Sequence, residues 1–358
     1  PLGLVAVESG HGHLVQIFVE VLARAVGEPP VEVATGPQRV DDLGPQAFDE
    51  FRLDHPISRR DDAPWTHYVR GMVQSLLLHR WPIGGADLVL AGDLPQGAGL
   101  SSSASLEVAV GQAFKSLYGL DRLPAVELAR LAQQAENQFV GCNCGIMDQM
   151  ISASGERDHA LLLDCRTLET RLIPMPTDLA VLIVNSNVRR GLVDSEYNTR
   201  RQQCETAARH YGVAALRDLN YQQLLQHRGN LDELCFKRAK HIVTENQRTL
   251  DAAKALAQND IQTMGVLMAQ SHASMRDDFE ITVPPIDQLV AILQNAIGPA
   301  GGARMTGGGF GGCTINLVKK GSESKIKEKF TKLYAEHFKI DLITYDVKVS
   351  NGTSLYKN

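Results

Sequence analysis

The sequence predicts an α+β protein of two domains, on three observations. The chain has 358 residues, more than one hydrophobic core usually accommodates. Short apolar runs typical of strands mix with longer segments of helical periodicity, without the regular rhythm of a doubly wound sheet. From residue 195 onward the pattern changes to long helices. We therefore expect domains at 1–176 and 177–358 that meet at a cleft, with a boundary near Pro176.

The first half of the chain mixes predicted strands and helices. Apolar residues at 15–26 predict a helix, and residues 31–63 are polar and turn-rich. An apolar run at 86–91 predicts a buried strand that leads directly into a glycine loop. The other elements expected here are helices at 65–79, 102–118, 124–139 and 147–153, and a strand at 160–164.

The second half is predicted to be richer in helix. A Val-Pro-Pro sequence at 283–285 breaks the chain before one of these helices. Expected helices lie at 195–211, 237–259, 261–275, 286–296 and 322–338, and expected strands at 180–185, 303–305, 313–318 and 342–349.

Composition excludes several classes of function. A net charge of −5 argues against a nucleic-acid surface. No apolar run approaches the ~18 residues of a membrane helix, and nothing resembles a signal peptide. Six scattered cysteines predict free thiols in a reducing cytoplasm. Cys142 and Cys144 lack both the spacing and the second pair of a zinc site.

The most informative segment is the loop at 95–104, Pro-Gln-Gly-Ala-Gly-Leu-Ser-Ser-Ser-Ala, which precedes an apolar helix. Gly97 and Gly99 let the backbone approach an anion closely, and the following helix N-terminus attracts negative charge. Ser101, Ser102 and Ser103 could cap that helix, bind phosphate oxygens or offer a hydroxyl to a metal. The sequence leaves a plain N-cap open, and it lacks the Gly-Lys pair of a Walker loop.

A second glycine tract at 307–312 fits G-x-G-x-x-G but does not predict a dinucleotide site. Such a site needs a helix after the glycines, whereas a strand-like run follows here. We expect these glycines to pack close to another backbone.

Three further residues are candidates for chemistry. Glu136 could anchor Mg²⁺ or be a solvated helix residue. Asp148 lies among small and apolar neighbours, where a carboxylate could accept a hydroxyl proton or cap a new helix. Tyr197 could contact a sugar or belong to the core.

Together, four segments (95–108, 136–149, 194–201 and 304–313) resemble galactokinases, within the GHMP family of small-molecule kinases. The serine loop is shared across that family. Gly-Cys-Asn-Cys-Gly-Ile-Met-Asp-Gln and Met-Thr-Gly-Gly-Gly-Phe-Gly-Gly-Cys are more specific to galactokinases, and the resemblance covers roughly residues 45–318.

The resemblance implies a GHMP kinase fold, with an N-terminal domain like a ribosomal-protein S5 module and a ferredoxin-like C-terminal domain. It implies ATP and Mg²⁺ as cofactors and D-galactose as substrate, giving galactose 1-phosphate. Asp148 would be the catalytic proton acceptor, and Gly145, Asp148 and Tyr197 would contact galactose. Ser103 and Glu136 would bind Mg²⁺. The ATP phosphate loop would be Gly97, Ala98, Gly99, Leu100, Ser101, Ser102 and Ser103, and the adenine pocket would include Trp65 and Tyr68.

One galactokinase segment has no counterpart here, the signature Gly-Arg-Val-Asn-Leu-Ile-Gly-Glu-His-Thr-Asp-Tyr. Its arginine and its sugar-binding side chains are therefore expected upstream of Pro1, or residues 1–44 are atypical because the sequence is frame-shifted or spliced. A positioned arginine in phosphoryl transfer is worth on the order of 10³ in rate. We accordingly expect this chain to be a weak or inactive enzyme.

Two other interpretations stay open: a regulatory protein that binds ATP and galactose without catalysis, and a kinase for another sugar such as N-acetylgalactosamine. In each case we expect a cytoplasmic monomer without nucleic-acid or membrane partners. The run at 275–280, Met-Arg-Asp-Asp-Phe-Glu, is interpreted as an ion-pair network between the domains.

Overall fold

The computed structural model describes residues 19–26, 31–35, 48–92, 94, 99–188, 193–338 and 342–355. The described contacts separate two compact units. Up to Leu172 the described chain belongs to the N-terminal unit, except Gly99 and Leu100, which are grouped with the C-terminal unit. Residues from Ile173 to Val347 form the C-terminal unit, and from Lys348 onward the chain belongs to the N-terminal unit again.

The sheet of the N-terminal unit is built around strand β4 (Gly85–Gly92). Its neighbours are β1 (Val19–Val26), antiparallel, and β2 (Val31–Thr35), parallel, while β3 (Phe48–Phe51) pairs with β2 at the edge. The helix predicted at 15–26 is wrong for the described residues, because β1 pairs along its whole length with β4. That pairing is non-local, and it overrides an ambiguous local pattern.

Helices pack on one another to complete this unit. α1 (Thr66–Leu78), α2 (Ser102–Leu117), α3 (Ala125–Gln134) and α4 (Met147–Ser154) agree with the predicted positions. Their buried faces form one cluster with β4, since apolar residues recur at helical spacing. The large members of this core include Met72, Leu76, Leu88, Phe114, Leu128 and Met150. Strands β5 (His159–Leu163) and β6 (Thr170–Pro174) pair as a separate two-stranded sheet.

Helix α3 does not end where its α-helical hydrogen bonds end. It continues as a π-helical turn over Ala135–Val140, so that the predicted helix at 124–139 consists of two kinds of helix. A π-turn widens the helix and changes the direction of the side chains that follow, and such turns concentrate at functional sites. Glu136 lies on this turn.

The sheet of the C-terminal unit contains β7 (Leu179–Asn185), β8 (Gly302–Met305), β9 (Cys313–Lys319) and β10 (Ile343–Val347). It is fully antiparallel, with the strands in the order β10, β7, β9, β8. The helices are α5 (Val193–His210), α6 (Tyr221–Gln226), α7 (Glu233–Ala257), α8 (Ile261–Ser274), α9 (Pro284–Ile297) and α10 (Glu323–Phe338). Its main core joins Leu182, Val184, Leu289, Leu293, Phe330 and Tyr334.

The glycine tract of this unit packs against other backbone segments, which confirms the prediction. A Cβ at Gly309 would lie 2.3 Å from the carbonyl oxygen of Ile281, and one at Gly311 would lie 2.6 Å from that of Val188. Both glycines have positive φ, +91° and +127°. The tract leads into β9 rather than into a helix, so it lacks the helix N-terminus of a dinucleotide site.

Charged residues of the 275–280 run form ion pairs with α7 of the same unit. Lys240 Nζ lies 2.9 Å from Asp278 Oδ1, and Arg238 Nη2 lies 2.9 Å from Glu280 Oε2. Arg200 of α5 donates hydrogen bonds to the carbonyl oxygens of Phe279 and Glu280, each at 2.8 Å. These described partners make the run a clamp inside the C-terminal unit, which differs from the expected network between domains.

Within the described ranges, no helix is both long enough and apolar enough to cross a membrane. None of the six cysteines, all of which lie in the described part of the chain, forms a disulfide bond.

Candidate active site

The N-terminus of α2 has the features of an anion site. Gly99 and Ser101 have φ of +77° and +59°, so the chain enters the helix through two left-handed residues. For serine this backbone conformation is uncommon, and it is typical of residues held for function. Ser101 occupies the N-cap position, but its side chain makes no capping hydrogen bond, and the first turn carries no acidic residue. The plain N-cap interpretation therefore fails, and the positive end of α2 remains suited to an anion.

Ser103 and Glu136 lie in direct contact. Ser103 Oγ donates a hydrogen bond to Glu136 Oε1 at 2.9 Å, which joins the first turn of α2 to the π-turn after α3. Glu136 is only 8% exposed, so it is not a solvated helix residue. A hydroxyl and a buried carboxylate placed together are both hard oxygen ligands of the kind that Mg²⁺ takes.

Sequence reasoning missed Gln149, which donates a second hydrogen bond to this carboxylate. Gln149 is 1% exposed, and its Nε2 donates to Glu136 Oε2 at 2.6 Å. The two oxygens of Glu136 are thus held by two different helices, through Ser103 on α2 and Gln149 on α4. Gln149 could have been suspected from its place directly after Asp148, but no local sequence pattern shows that its amide group contacts Glu136.

Sequence reasoning also missed Glu107, one helical turn after Ser103 on α2. Its side chain is fully buried, and neither carboxyl oxygen makes a hydrogen bond within the described part of the chain. Burial raises the pKa of Glu107 well above its usual range, and the nearby charge of Glu136 raises it further. The nearby Gln149 amide has the opposite effect and lowers the pKa of Glu107 somewhat, although the two side chains do not meet the geometry of an ordinary hydrogen bond. The sequence does contain a signal for this residue, because a glutamate between apolar residues, as in Leu-Glu-Val, suggests a buried carboxyl group.

The Cys144 thiol lies near the Glu136 carboxylate. Cys144 Sγ lies 3.3 Å from Asn137 Oδ1 and 3.7 Å from Gln149 Nε2. A hydrogen bond with Cys142, then burial and the charge of Glu136, raise the pKa of the Cys144 thiol. Cys144 is therefore a protonated, weakly nucleophilic thiol that packs beside the site.

Asp148 is the second residue of α4 and is half-buried. Its position next to Gln149 brings its helix to the Ser103–Glu136 pair. Gly145 lies in the loop before α4, where it is exposed, and a Cβ added there would meet no described atom within 4 Å. The loop is therefore open at the point where the resemblance places a sugar.

The remaining predicted residues are placed less fully. Gly97 and Ala98 lie outside the described residues, while Leu100 and Ser102 are half-buried beside Ser101. Tyr197 is the fifth residue of α5, and its side chain lies outside the described part. Trp65 and Tyr68 are half-buried at the start of α1, and Trp65 packs on the core of the N-terminal unit.

The donor set fits a divalent cation that shares its coordination with another ligand. Across the described residues, no group of three or more His, Cys, Asp or Glu side chains could hold a metal by itself. Ser103 and Glu136 instead offer two hard oxygens, and the unpartnered carboxyl of Glu107 adds acceptors to the same region. Mg²⁺ commonly takes one or two protein ligands and completes its shell with phosphate oxygens and water.

Family models match both halves of the chain. The model for the GHMP kinases N terminal domain matches residues 67–156, and the model for the GHMP kinases C terminal matches residues 252–336. The first match contains Ser103, Glu136 and Asp148. The fold is thus the two-domain GHMP kinase fold, with mixed helices and sheets.

Solved structures of kinases share this architecture. Lactococcus lactis galactokinase complexed with galactose is 33% identical, with a TM-score of 0.87, and the match covers 94% of this chain and 87% of that one. L. major mevalonate kinase in complex with R-mevalonate is 16% identical, with a TM-score of 0.59 over 95% and 89%. Streptococcus pneumoniae phosphomevalonate kinase in complex with phosphomevalonate and AMPPNP is 15% identical, with a TM-score of 0.59 over 92% and 89%. Because their sequence identities are low, the similarities to the last two structures show the fold alone.

Proposed function

This chain belongs to the GHMP kinase family, and we propose that it transfers the γ-phosphate of ATP to the anomeric hydroxyl of D-galactose. The observation that carries the proposal is the hydrogen bond between Ser103 and Glu136 at the N-terminus of α2. It brings the positive end of α2 and two hard oxygens to one place, which supports phosphoryl transfer from a complex of Mg²⁺ with ATP.

In this proposal the loop at Gly97–Ser103 binds the phosphates of ATP. Backbone N–H groups at the start of α2 point along the helix axis, where they attract phosphate oxygens. Ser103 and Glu136 hold Mg²⁺, which neutralises charge on the transferring phosphoryl group. The burial of Glu136 strengthens its interaction with a cation, since little water screens the carboxylate.

Asp148 is proposed to accept the proton of the sugar hydroxyl. The anomeric oxygen forms a bond to the γ-phosphorus, the bond from that phosphorus to the bridging oxygen of ADP breaks, and the hydroxyl proton passes to the Asp148 carboxylate. Its position in α4, next to the residue that binds Glu136, supports this role. Gly145 and Tyr197 are proposed to contact the sugar.

The choice of galactose as substrate is supported by the 33% identity with a galactokinase whose structure contains galactose, and by the motifs around Gly145 and Gly309. ATP as phosphoryl donor is supported by the family and by the form of the α2 N-terminus. We also propose that the protein is a monomer in the cytoplasm. Size-exclusion chromatography with light scattering would measure its mass in solution and so test the monomeric state.

A sensitive transfer assay tests the proposal. The purified chain is incubated with Mg²⁺, ATP labelled at its γ-phosphate, and galactose, glucose, N-acetylgalactosamine or arabinose. We expect label in galactose 1-phosphate and much less in the other sugars.

The same assay separates the competing functions. Label in N-acetylgalactosamine but not in galactose would change the proposed acceptor. Calorimetric binding of ATP and galactose with no labelled product from any sugar would favour a non-catalytic binding protein. Absence of both binding and transfer would exclude the proposal altogether.

A further inference from the structure

The carboxylate of Glu136 is held at both of its oxygens. Ser103 Oγ donates to Oε1 at 2.9 Å, and Gln149 Nε2 donates to Oε2 at 2.6 Å. A glutamate side chain has three rotatable bonds, so one contact would leave its carboxylate free to turn. Two donors from two helices fix the plane of the group as well as its position.

The two hydrogen bonds differ in what they offer to a cation. Ser103 is itself a hard oxygen ligand, so its contact with Oε1 makes a pair of neighbouring ligands. Gln149 contributes an N–H group, which repels a cation and occupies Oε2. With the Gln149 amide on Oε2, the neighbouring pair of oxygens proposed to bind Mg²⁺ is Oε1 and the Ser103 hydroxyl.

The surroundings of Gln149 require an amide at this position. Its Nε2 faces two acceptors, Glu136 Oε2 and Cys144 Sγ, the latter at 3.7 Å. The buried carboxyl of Glu107 lies nearby, and Gln149 Oε1 is itself buried without a partner among the described residues. A glutamate here would add a third carboxyl to a buried acidic region, and an apolar residue would leave Glu136 Oε2 without this donor.

We propose that Gln149 is a positioning residue for the divalent metal centre, which it serves by fixing the Glu136 carboxylate. The inference rests on the proposed function, because it takes Ser103 and Glu136 as the metal ligands. Since Gln149 directly follows Asp148 in α4, it also ties the helix of the proton acceptor to the metal carboxylate. Mutating a residue that hydrogen-bonds a metal-binding side chain typically lowers the metal affinity by about 10–100-fold.

The test measures metal binding, which does not depend on turnover. Mn²⁺ is titrated into the purified chain in the presence of ADP, and free Mn²⁺ is followed by electron paramagnetic resonance. Gln149→Met removes the donor at similar volume, and Gln149→Asn keeps an amide that is too short to reach Glu136. We expect both variants to bind Mn²⁺ about 10–100-fold more weakly.

Gln133→Met is the matched control. Gln133 donates to the Cys144 carbonyl oxygen at 3.2 Å, in the same region but away from Glu136 in the described contacts. We expect it to keep the Mn²⁺ affinity of the unchanged chain. Galactose binding measured by calorimetry should be unchanged in all three variants, because none of them removes a side chain that is proposed to contact the sugar.

The outcomes separate the inference from the proposed function. Equal Mn²⁺ affinity in Gln149→Met and the unchanged chain would overturn the inference and leave the proposed function standing. No ADP-dependent Mn²⁺ binding in the unchanged chain would contradict the proposed metal centre, and the inference with it. Parallel loss of Mn²⁺ binding, galactose binding and folding in both Gln149 variants would assign Gln149 a structural role and also overturn the inference.

Discussion

Ser103 and Glu136 are 33 residues apart in the sequence and form a 2.9 Å hydrogen bond. This contact unites two interpretations that the sequence could only offer separately, a serine loop for phosphate and an acidic residue for a metal. Glu136 reaches Ser103 from a π-helical turn, and its burial removes it from the solvated surface where a helical glutamate is usually found.

Replacing Glu136 by glutamine tests the proposed metal ligand. An amide keeps the size of the side chain but lacks the negative charge that attracts Mg²⁺. We expect phosphate transfer to fall on the order of 100-fold or more, with a raised Mg²⁺ requirement. The measurement is the rate of labelled-phosphate transfer as a function of Mg²⁺ concentration.

The matched control is Glu127→Gln on the same helix, where the carboxylate is about one-third exposed and pairs with Arg130 at 3.9 Å. It should leave the Mg²⁺ dependence unchanged. An unaltered Mg²⁺ dependence in Glu136→Gln would contradict a role in metal binding.

Replacing Asp148 by asparagine tests the proposed proton acceptor. General-base residues typically contribute about 10²–10⁴-fold to the rate. We expect the transfer rate to fall within that range while calorimetric affinities for ATP and galactose stay within a few-fold. Asp121→Asn, at an exposed position, serves as the control, and full activity in Asp148→Asn would require another acceptor.

Replacing Gly309 by alanine tests the packing of the glycine tract. The new Cβ would lie 2.3 Å from the Ile281 carbonyl oxygen, at a φ of +91° that alanine rarely adopts. We expect the free energy of unfolding in urea to fall by about 1–3 kcal/mol. Gly145→Ala, where the Cβ meets open space, should keep its stability, and equal stability of both variants would argue against the tight packing.

The buried His241 makes stability depend on pH. Burial lowers its pKa from 6.5 to about 4, although the charges of Glu245 and Asp278 oppose that effect. Below about pH 6.5 the unfolded chain binds a proton that the folded protein excludes, so stability falls as the pH falls toward 4. The contribution is about 3 kcal/mol at most.

His241→Gln should reduce this pH dependence, measured by urea unfolding at pH 4.5 and pH 7. The exposed His210 provides the control, since His210→Gln should keep the slope of the unchanged chain. If His241→Gln has that same slope, the acid sensitivity arises elsewhere.

The raised pKa of the buried Glu107 predicts the opposite pH effect in the metal-free protein. Because burial raises its pKa, the folded protein keeps a proton that the unfolded chain releases above about pH 4.5, and stability falls as the pH rises. Glu107→Gln should therefore be more stable than the unchanged chain at pH 8, with a smaller difference at pH 5. Thermal unfolding at the two pH values measures this, and destabilisation at pH 8 would contradict a neutral Glu107.

The sequence by itself determined the class of fold, the position of most helices and the residues of the serine loop. These features depend on local periodicity and on glycine and serine before a helix, which are readable within a short window. They also depend on the order of the motifs along the whole sequence. Ser103, Glu136 and Asp148 could be singled out in this way, and so could the close packing of the second glycine tract.

Only the tertiary structure decided which side chains meet. β1 became a strand because β4 offered it a partner, and Glu107 and Gln149 joined the site because three helices converge there. The physical reason is that burial and hydrogen bonding between distant segments depend on packing in three dimensions, while a sequence window records only neighbours along the chain.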